Sequence, residues 1–446
     1  MSLHLRSLSG PLTTVTTTDL DGRTAVLAVL RPDDERSTLT VADAATLADA
    51  VRSARRQRVP FVAVLRTSGV AVEEGIAVAD GWGRVARELV LASGVIPVLL
   101  VADGPVVSGP ALLLALADVV IFTERAYAFV TGPHVVETYT GQPISASDLG
   151  GSGAHARSTG VASIVVASLD DAFDAVGAVL GHLPDNVDEM PPTLPTDDPS
   201  DRPTPEAGEL VPATASGSYD VREVIRIVAD DGEFLELRPA WAPNLVTGFA
   251  FVGGHSVGIV ANQTQALAGA IDIPGAQKGA RFVAMCDAFN VPLLTMVDTS
   301  GFLPGKDLEW RGMIRHGAQL AFAYARATVP RIALILRKSY GGAYIVMDSR
   351  YMGNDLMLAW PTAEVAVMGA KGAVEILHRR SSEDDRRRLE ADYETRFLTP
   401  YAAAERASIS AVITPEQTRG EITAALDLLT TKHERLRPRR HDNTPL

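Results

Sequence analysis

One cysteine, Cys286, stands among 446 residues, so the chain can form no internal disulfide and fits a reducing compartment. Within FVAMCDAFNVP it reads as core filler and not as a nucleophile. Metal chemistry finds no more support. His155, His255, His316 and His433 are scattered, and neither H-E-x-x-H nor C-x-x-C occurs. A Walker A sequence is missing, and the run GGHSVG has the wrong spacing for a dinucleotide fingerprint. Its Gly254–Gly258 segment matches Gly-x-Ser-x-Gly in letters but sits in a strand turn, not in the strand-to-helix elbow a nucleophile needs. The greasiest stretch, LVLASGVIPVLLVA, is too short to cross a bilayer and carries Pro97. The N-terminus lacks the form of a signal peptide, so the expected location is cytoplasmic. Positive charge is scarce too: 41 Lys and Arg against 54 Asp and Glu leave a formal charge of −13. That balance argues against a nucleic-acid or anionic-membrane surface, though not against a local basic pocket.

What is present is a chain too long for one ordinary core, with short β-branched runs alternating with helical patterns. The strand candidates of the first half are TAVLAVLRP, PFVAVLRT, IPVLLVAD and ADVVIFTE; those of the second are SVGIVAN, PLLTMVDT, PRIALILR and AEVAVMG. Between the halves lies a stretch dense in Pro, Asp and Thr, which reads as a linker or a peripheral strap. The expected division is an N-terminal domain over 1–185, the linker over 186–218 and a C-terminal domain over 219–446.

The halves resemble each other. Thr67-Ser68-Gly69 has a twin in Thr299-Ser300-Gly301, Pro97 in Pro330, Ser108-Gly109 in Gly341-Gly342, and Gly132 in Gly369. The order is kept and the separation drifts by only a few residues, which implies a tandem duplication. Each half then carries a strand, a glycine turn and a helix-like segment at the same place. In RKSYGGAYIVM the turn would present consecutive backbone N–H groups without intrahelical partners. Two such groups aimed at one oxygen form an oxyanion hole. From spacing alone, glycines that merely permit tight strand-to-helix packing remain an equal reading.

Longer motifs carry a family resemblance. KGARFVAMCDAFNVPLLTMVDTSGFLPG, IRHGAQLAFAYARATVPRIALILRKSYGGAYIVM and AWPTAEVAVMGAKGAVEI closely resemble the carboxyltransferase (beta) subunits of biotin-dependent acyl-CoA carboxylases, the propionyl-CoA and acetyl-CoA carboxylase type. ASGVIP and YAFVTGPHVVETYTGQPIS extend the likeness into the first half, and TKHERLRPRRHDNTPL extends it to the end. The resemblance implies an α/β chain of two tandem crotonase-like (ββα spiral) domains. It also implies transfer of a carboxyl group from carboxybiotin to the α-carbon of an acyl-CoA such as acetyl-, propionyl- or butyryl-CoA. Members usually form hexamers, here homo-hexamers or mixed ones, with each site between the N-half of one subunit and the C-half of another. Acyl thioester binds mainly to the N-half and biotin to the C-half. No Met-Lys-Met attachment sequence is present, so biotin is expected on a partner subunit loaded by a biotin carboxylase, with no metal in this chain.

By the same resemblance Gly342 and Ala343 supply one pair of N–H donors, and Ser108 and Gly109, in the matching turn, the other. Ser68, Gly69, Gly132 and Ile345 are expected on the substrate side, with Ile345 at a position that influences which acyl chain is accepted. Gly301, Phe302, Gly341 and Tyr344 are expected on the biotin side. Two basic pairs, Arg84 with Arg87 and Arg315 with His316, read as surface groups first and as CoA or biotin contacts second. The block RRSSEDDRRRLEADYETR reads as an exposed helix, with Glu383–Arg387 and Asp384–Arg388 pairs, and not as a binding site.

Departures from the family pattern gather in the N-half. Members usually carry a longer N-terminal stretch; here the sequence reaches a core strand almost at once. SGGAR becomes SGVAV at Ser68–Val72, and GPCAGGA becomes GPVVSGP at Gly104–Pro110. Proline has no N–H, so position 110 can donate nothing. Three expectations follow: an active transferase with an altered acyl side, a transferase or decarboxylase working on an acyl-carrier-protein thioester, or a non-catalytic partner of a competent paralogue.

Overall fold

The eight apolar runs read as strands all form strands in the computed structural model, which describes residues 4–5, 13–20, 22–30, 38–214, 217–432, 434, 436, 438 and 442–445. His433 and part of the TKHERLRPRRHDNTPL run lie outside the described residues. The chain divides into two units, Met1–Pro191 and Pro192–Leu446.

Unit 1 is built on β1 (His4–Leu5), β2 (Thr13–Leu20), β3 (Arg23–Leu30), β4 (Phe61–Thr67), β5 (Val98–Val107), β6 (Val119–Thr123), β7 (Tyr127–Phe129) and β8 (Ile164–Val166). They form an eight-stranded sheet in the order β1-β2-β3-β4-β5-β6-β8, with β7 also on β5. The first three strands are antiparallel and the rest parallel. Val, Ala and Leu of the central strands are buried on both faces, as a parallel sheet requires. Its longer helices are α1 (Val41–Gln57), α2 (Ile76–Ala92), α3 (Pro133–Thr140) and α4 (Leu169–Leu180), and a single short turn of helix, Ala111–Leu114, follows Pro110. A capping box at Thr40 and Asp43 fixes the start of α1.

Unit 2 repeats the plan. Its strands are β9 (Leu235–Leu237), β10 (Leu245–Val252), β11 (His255–Asn262), β12 (Leu293–Thr299), β13 (Arg331–Tyr340), β14 (Leu356–Ala359), β15 (Glu364–Ala366) and β16 (Ala411–Val412). Their order is β16-β14-β13-β12-β11-β10-β9, with β15 also on β13. Strand for strand this is the topology of unit 1. Its main helices are α5 (Ile273–Ala288), α6 (Met313–Arg326), α7 (Gly341–Val346), α8 (Ala370–Leu377), α9 (Glu383–Tyr393) and α10 (Thr418–Leu429).

The duplication reaches individual hydrogen bonds. Leu39 N–H donates to Gly69 O (2.8 Å) and Ala71 N–H to Leu39 O (2.9 Å); Ile271 N–H donates to Gly301 O (3.1 Å) and Leu303 N–H to Ile271 O (2.9 Å). The β4–β5 ladder breaks register between Leu65 and Thr67, and the β12–β13 ladder between Val297 and Thr299. The two units meet in sequence inside the Pro- and Asp-rich stretch. Residues before the division hold to unit 1, where Val187 N–H donates to Val95 O (3.0 Å). Beyond it the chain is a strap on unit 2: Arg419 donates to Pro199 O (2.9 Å) and Arg337 to Thr214 O (2.8 Å).

Candidate active site

In unit 2 the site starts from the break in the β12–β13 ladder. The wide spacing there admits a buried ion pair, Arg337 Nε to Asp298 Oδ2 at 3.0 Å, and Tyr219 Oη donates to the same oxygen at 3.0 Å. Burial pushes the Asp298 carboxyl up, with Arg337 opposing. Just past this anchored segment β13 ends at Tyr340, the N-cap of α7. Gly341 follows with φ 57°, a left-handed value at which a Cβ would also come within 3.1 Å of Val367 O. Gly342 is exposed and Ala343 buried. Both amides fall in the first turn of α7, where N–H groups have no intrahelical partner.

Gly341 and Gly342 open onto a cavity of about 540 Å³, lined also by Tyr344, Ile345, Tyr393 and Phe397 among others, with Ala343 buried behind them. Ile345 is 41% exposed and offers a branched apolar face. Burial raises the pKa of the Tyr344 phenol, which therefore stays protonated. Phe302 packs over the turn: a Cβ on Gly342 would lie 3.2 Å from its ring, and one on Gly317 of α6 equally 3.2 Å. Gly301, at φ 141°, leaves open space in front of it. Thr299 Oγ1 donates to Gly301 O at 3.3 Å and closes that turn. Structure thus brings Gly341, Gly342, Ala343, Tyr344, Ile345 and Phe302 together.

The charged block 379–396 needs correction in two respects. α9 is exposed and carries the Glu383–Arg387 pair at 2.9 Å, but Arg388 reaches Asp385 (3.5 Å) and not Asp384. Its C-terminal end is also not merely solvated, because Tyr393 and, within the π-helical turn Glu394–Leu398, Phe397 form a wall of the cavity. Arg315 and His316 lie in the first turn of α6, one bonded to the other at 3.3 Å.

Unit 1 carries the same turns with different chemistry. Thr67 Oγ1 donates to Gly69 O at 2.6 Å, and Gly69 has φ 134°. Asp103, fully buried under the β4–β5 break, is held below the usual carboxylate range by Arg125 and Arg66 in spite of its burial. Ser108 then takes the left-handed place of Gly341, at φ 67°. Its N–H is already donated to Phe129 O at 2.9 Å, extending the β5–β7 ladder, so Ser108 cannot be an amide donor as expected. By register the counterparts of Gly342 and Ala343 are Gly109 and Pro110. Only Gly109 retains an N–H. A Cβ on Gly109 would stand 2.7 Å from the indole of Trp82, on α2, a neighbour that sequence reasoning missed. Gly132 caps α3 and lies beside the Phe129 ring, so it shares one end of the sheet with Ser68, Gly69, Ser108 and Gly109. Arg84 and Arg87 are exposed on α2.

Cys286 is fully buried in α5, close against Gly258, and burial pushes its thiol pKa well up. Among the described residues no group of three or more His, Cys, Asp or Glu is placed to hold a metal ion. Nor is any helix there long and apolar enough to cross a membrane.

Comparison with known proteins bears on this geometry directly. The carboxyl transferase domain family matches residues 20–444. The propionyl-CoA carboxylase beta chain of Roseobacter denitrificans is 42% identical over 390 residues, 87% of this chain and 76% of that protein. The methylmalonyl-CoA decarboxylase subunit alpha of Veillonella parvula is 39% identical over 428 residues, 96% of this chain and 84% of that one. A solved structure of transcarboxylase 12S, described as a hexamer assembly with methylmalonyl-coenzyme A and methylmalonic acid bound, matches with a TM-score of 0.95 at 37% identity, covering 97% of this chain and 85% of that chain. With its duplicated crotonase-like sheet and paired glycine turns, the chain belongs to the carboxyl transferase domain family, the carboxyltransferase subunits of biotin-dependent acyl-CoA carboxylases.

Proposed function

We propose that this chain moves a carboxyl group between carrier-borne biotin and the α-carbon of a short acyl-CoA. The observation that carries the reading is the Gly341–Gly342 turn opening onto the 540 Å³ cavity, with Ala343 directly after it. Its size lies in the range of small-molecule sites, about 300–1,000 Å³, and its amide floor and apolar walls suit a flat ureido ring. Biotin, when carboxylated, supplies CO2 and a ureido nitrogen basic enough to take the α-proton of the thioester. Gly342 and Ala343 would hold the ureido oxygen as it gains charge, and they do so with main chain already fixed by Tyr340 and Phe302. In unit 1 the Gly109 amide would face the thioester oxygen, where the enolate charge develops. Ile345 would meet the acyl chain and set its permitted length. Biotin would arrive on a partner subunit, and a hexamer would supply both turns to each site from different chains. A reducing compartment, the cytoplasm, suits the single buried thiol.

A second reading has an observation of its own. A relative named as a methylmalonyl-CoA decarboxylase subunit is 39% identical over 96% of this chain, and its name supports net removal of the carboxyl group as the competing direction.

The test uses the purified full chain with malonyl- or methylmalonyl-CoA, with and without free biotin, followed by mass spectrometry. Loss of substrate only with biotin supports the proposal and names the acyl preference. Loss without biotin favours an independent decarboxylase, and no loss in either case refutes transfer to free biotin.

A further inference from the structure

The two units repeat one backbone with different side chains, so each serves as a control for the other. After β5 three things differ from the turn after β13. Ser108 replaces Gly341 yet keeps its left-handed backbone, at φ 67° against 57°, a region unfavourable for a residue with a Cβ. Pro110 replaces Ala343 and removes one N–H of the donor pair. Finally, the Ser108 Cβ stands 4.0 Å from the place where Gly69 would carry its own, whereas nothing lies within 4 Å of the equivalent point on Gly301.

The unfavourable backbone therefore places a hydroxymethyl group over the Thr67–Gly69 turn, next to the one remaining amide, Gly109. Among the described residues that hydroxyl has no hydrogen-bond partner, while the Ser108 N–H is engaged by Phe129 O. A glycine there would relieve the backbone and leave no polar group waiting. We infer that Ser108 Oγ is the second donor of the acyl oxyanion hole, standing in for the N–H that Pro110 lacks. This rests on the carboxyl-transfer reading above. The hydroxyl donates a hydrogen bond to the thioester oxygen as enolate charge builds there. It keeps its proton throughout, and no bond to it forms or breaks. Ser108 is then a catalytic residue through its side chain and not its amide.

Two readouts test the inference on the full chain: biotin-dependent loss of methylmalonyl-CoA, and the infrared carbonyl band of bound acetyl-CoA labelled with 13C at the thioester carbon. Ser108→Ala and Ser108→Gly are each expected to lower kcat about 100-fold with KM little changed, and to move the carbonyl band to higher wavenumber. Ser108→Gly should melt no lower than the parent, which separates lost chemistry from lost folding. Adding Pro110→Ala to Ser108→Gly returns an amide donor and should recover at least about tenfold of the loss. A Ser108→Gly protein with parental kcat and an unmoved band overturns the inference, and a double variant without recovery overturns the stand-in role. If the parent itself fails to use biotin but the band still moves in Ser108→Ala, the donor role stands and the carboxyl-transfer reading falls.

Discussion

Ala343→Pro tests the main-chain mechanism with an internal standard for folding. Proline removes a single hydrogen-bond donor. The amide lies in the first turn of α7, so no helical hydrogen bond is lost with it. The preceding residue is Gly342, which escapes most of the restriction proline places on its neighbour. Unit 1 already holds Pro110 in the corresponding turn, at φ −56° and ψ −26°, so this backbone accepts the ring. What remains is crowding, since Ala343 is fully buried; extra methylenes in a packed site cost about 1–3 kcal/mol. For a unit of this size that lowers Tm by about 2–4 °C per kcal/mol. Removing one donor from an oxyanion hole costs about 3–4 kcal/mol, or 100- to 1,000-fold in kcat. Biotin-dependent decarboxylation of methylmalonyl-CoA should fall by that factor while the KM for the acyl-CoA holds. Ala343→Gly keeps the N–H and should stay within about tenfold of the parent. A folded Ala343→Pro protein with parental kcat would remove this amide from the mechanism.

Ile345→Asp, at an exposed place on the cavity wall, should leave stability within about 0.5 kcal/mol and shift preference among acetyl-, propionyl- and butyryl-CoA; one methylene is worth about 1–3 kcal/mol in a fitted pocket, and an unchanged profile would make Ile345 a packing residue. Gly109→Ala puts a methyl group 2.7 Å from the Trp82 ring and should destabilise unit 1 by about 1–3 kcal/mol in denaturant titration, with a fall in kcat; an unaltered midpoint would mean that the indole moves freely. Lys278, buried in α5, donates to Arg238 O at 2.9 Å and Trp241 O at 3.0 Å, and burial drags its pKa down from 10.5 to about 7. Between these values the unfolded chain binds the proton and the folded one does not, so wild-type stability should rise with pH from about 7 toward 10.5. Lys278→Met should lose about 1–3 kcal/mol for each carbonyl left unpaired and lose that rise as well; a pH profile parallel to wild type would refute it.

The fold was legible because its signals are local. Eight apolar runs bounded by Gly, Pro and Asp gave eight strands, and the paired Thr-Ser-Gly turns gave the duplication. The other eight described strands escaped notice. β2 and β10 were not read although each runs eight residues, while β14 and β16, at four and two residues, carry no period of their own and exist only through the ladders of β14 with β13 and of β16 with β14. The walls of the cavity were hidden by composition. Tyr393 and Phe397 sit in and after a helix that is charged nearly throughout, and a π-turn decides that they face the site.

The donor pairs show where residue identity misleads. Reading glycines as the donors puts the unit 1 pair at Ser108 and Gly109. The Ser108 N–H is donated to Phe129 O instead, a contact that crosses two strands and that spacing along the sequence does not show. The buried pairs beneath the two turns make the same point with charge. Arg66 precedes the first Thr-Ser-Gly and Asp298 the second; their partners are Asp103 and Arg337. Each pair holds its break in the ladder closed, yet the signs are exchanged between strands, so a comparison by identity finds nothing there. What was duplicated is a geometry that requires a carboxylate beside a guanidinium, and either strand can supply either one. By the same logic a donor is required after β5, and main chain and a serine hydroxyl are two ways to supply it.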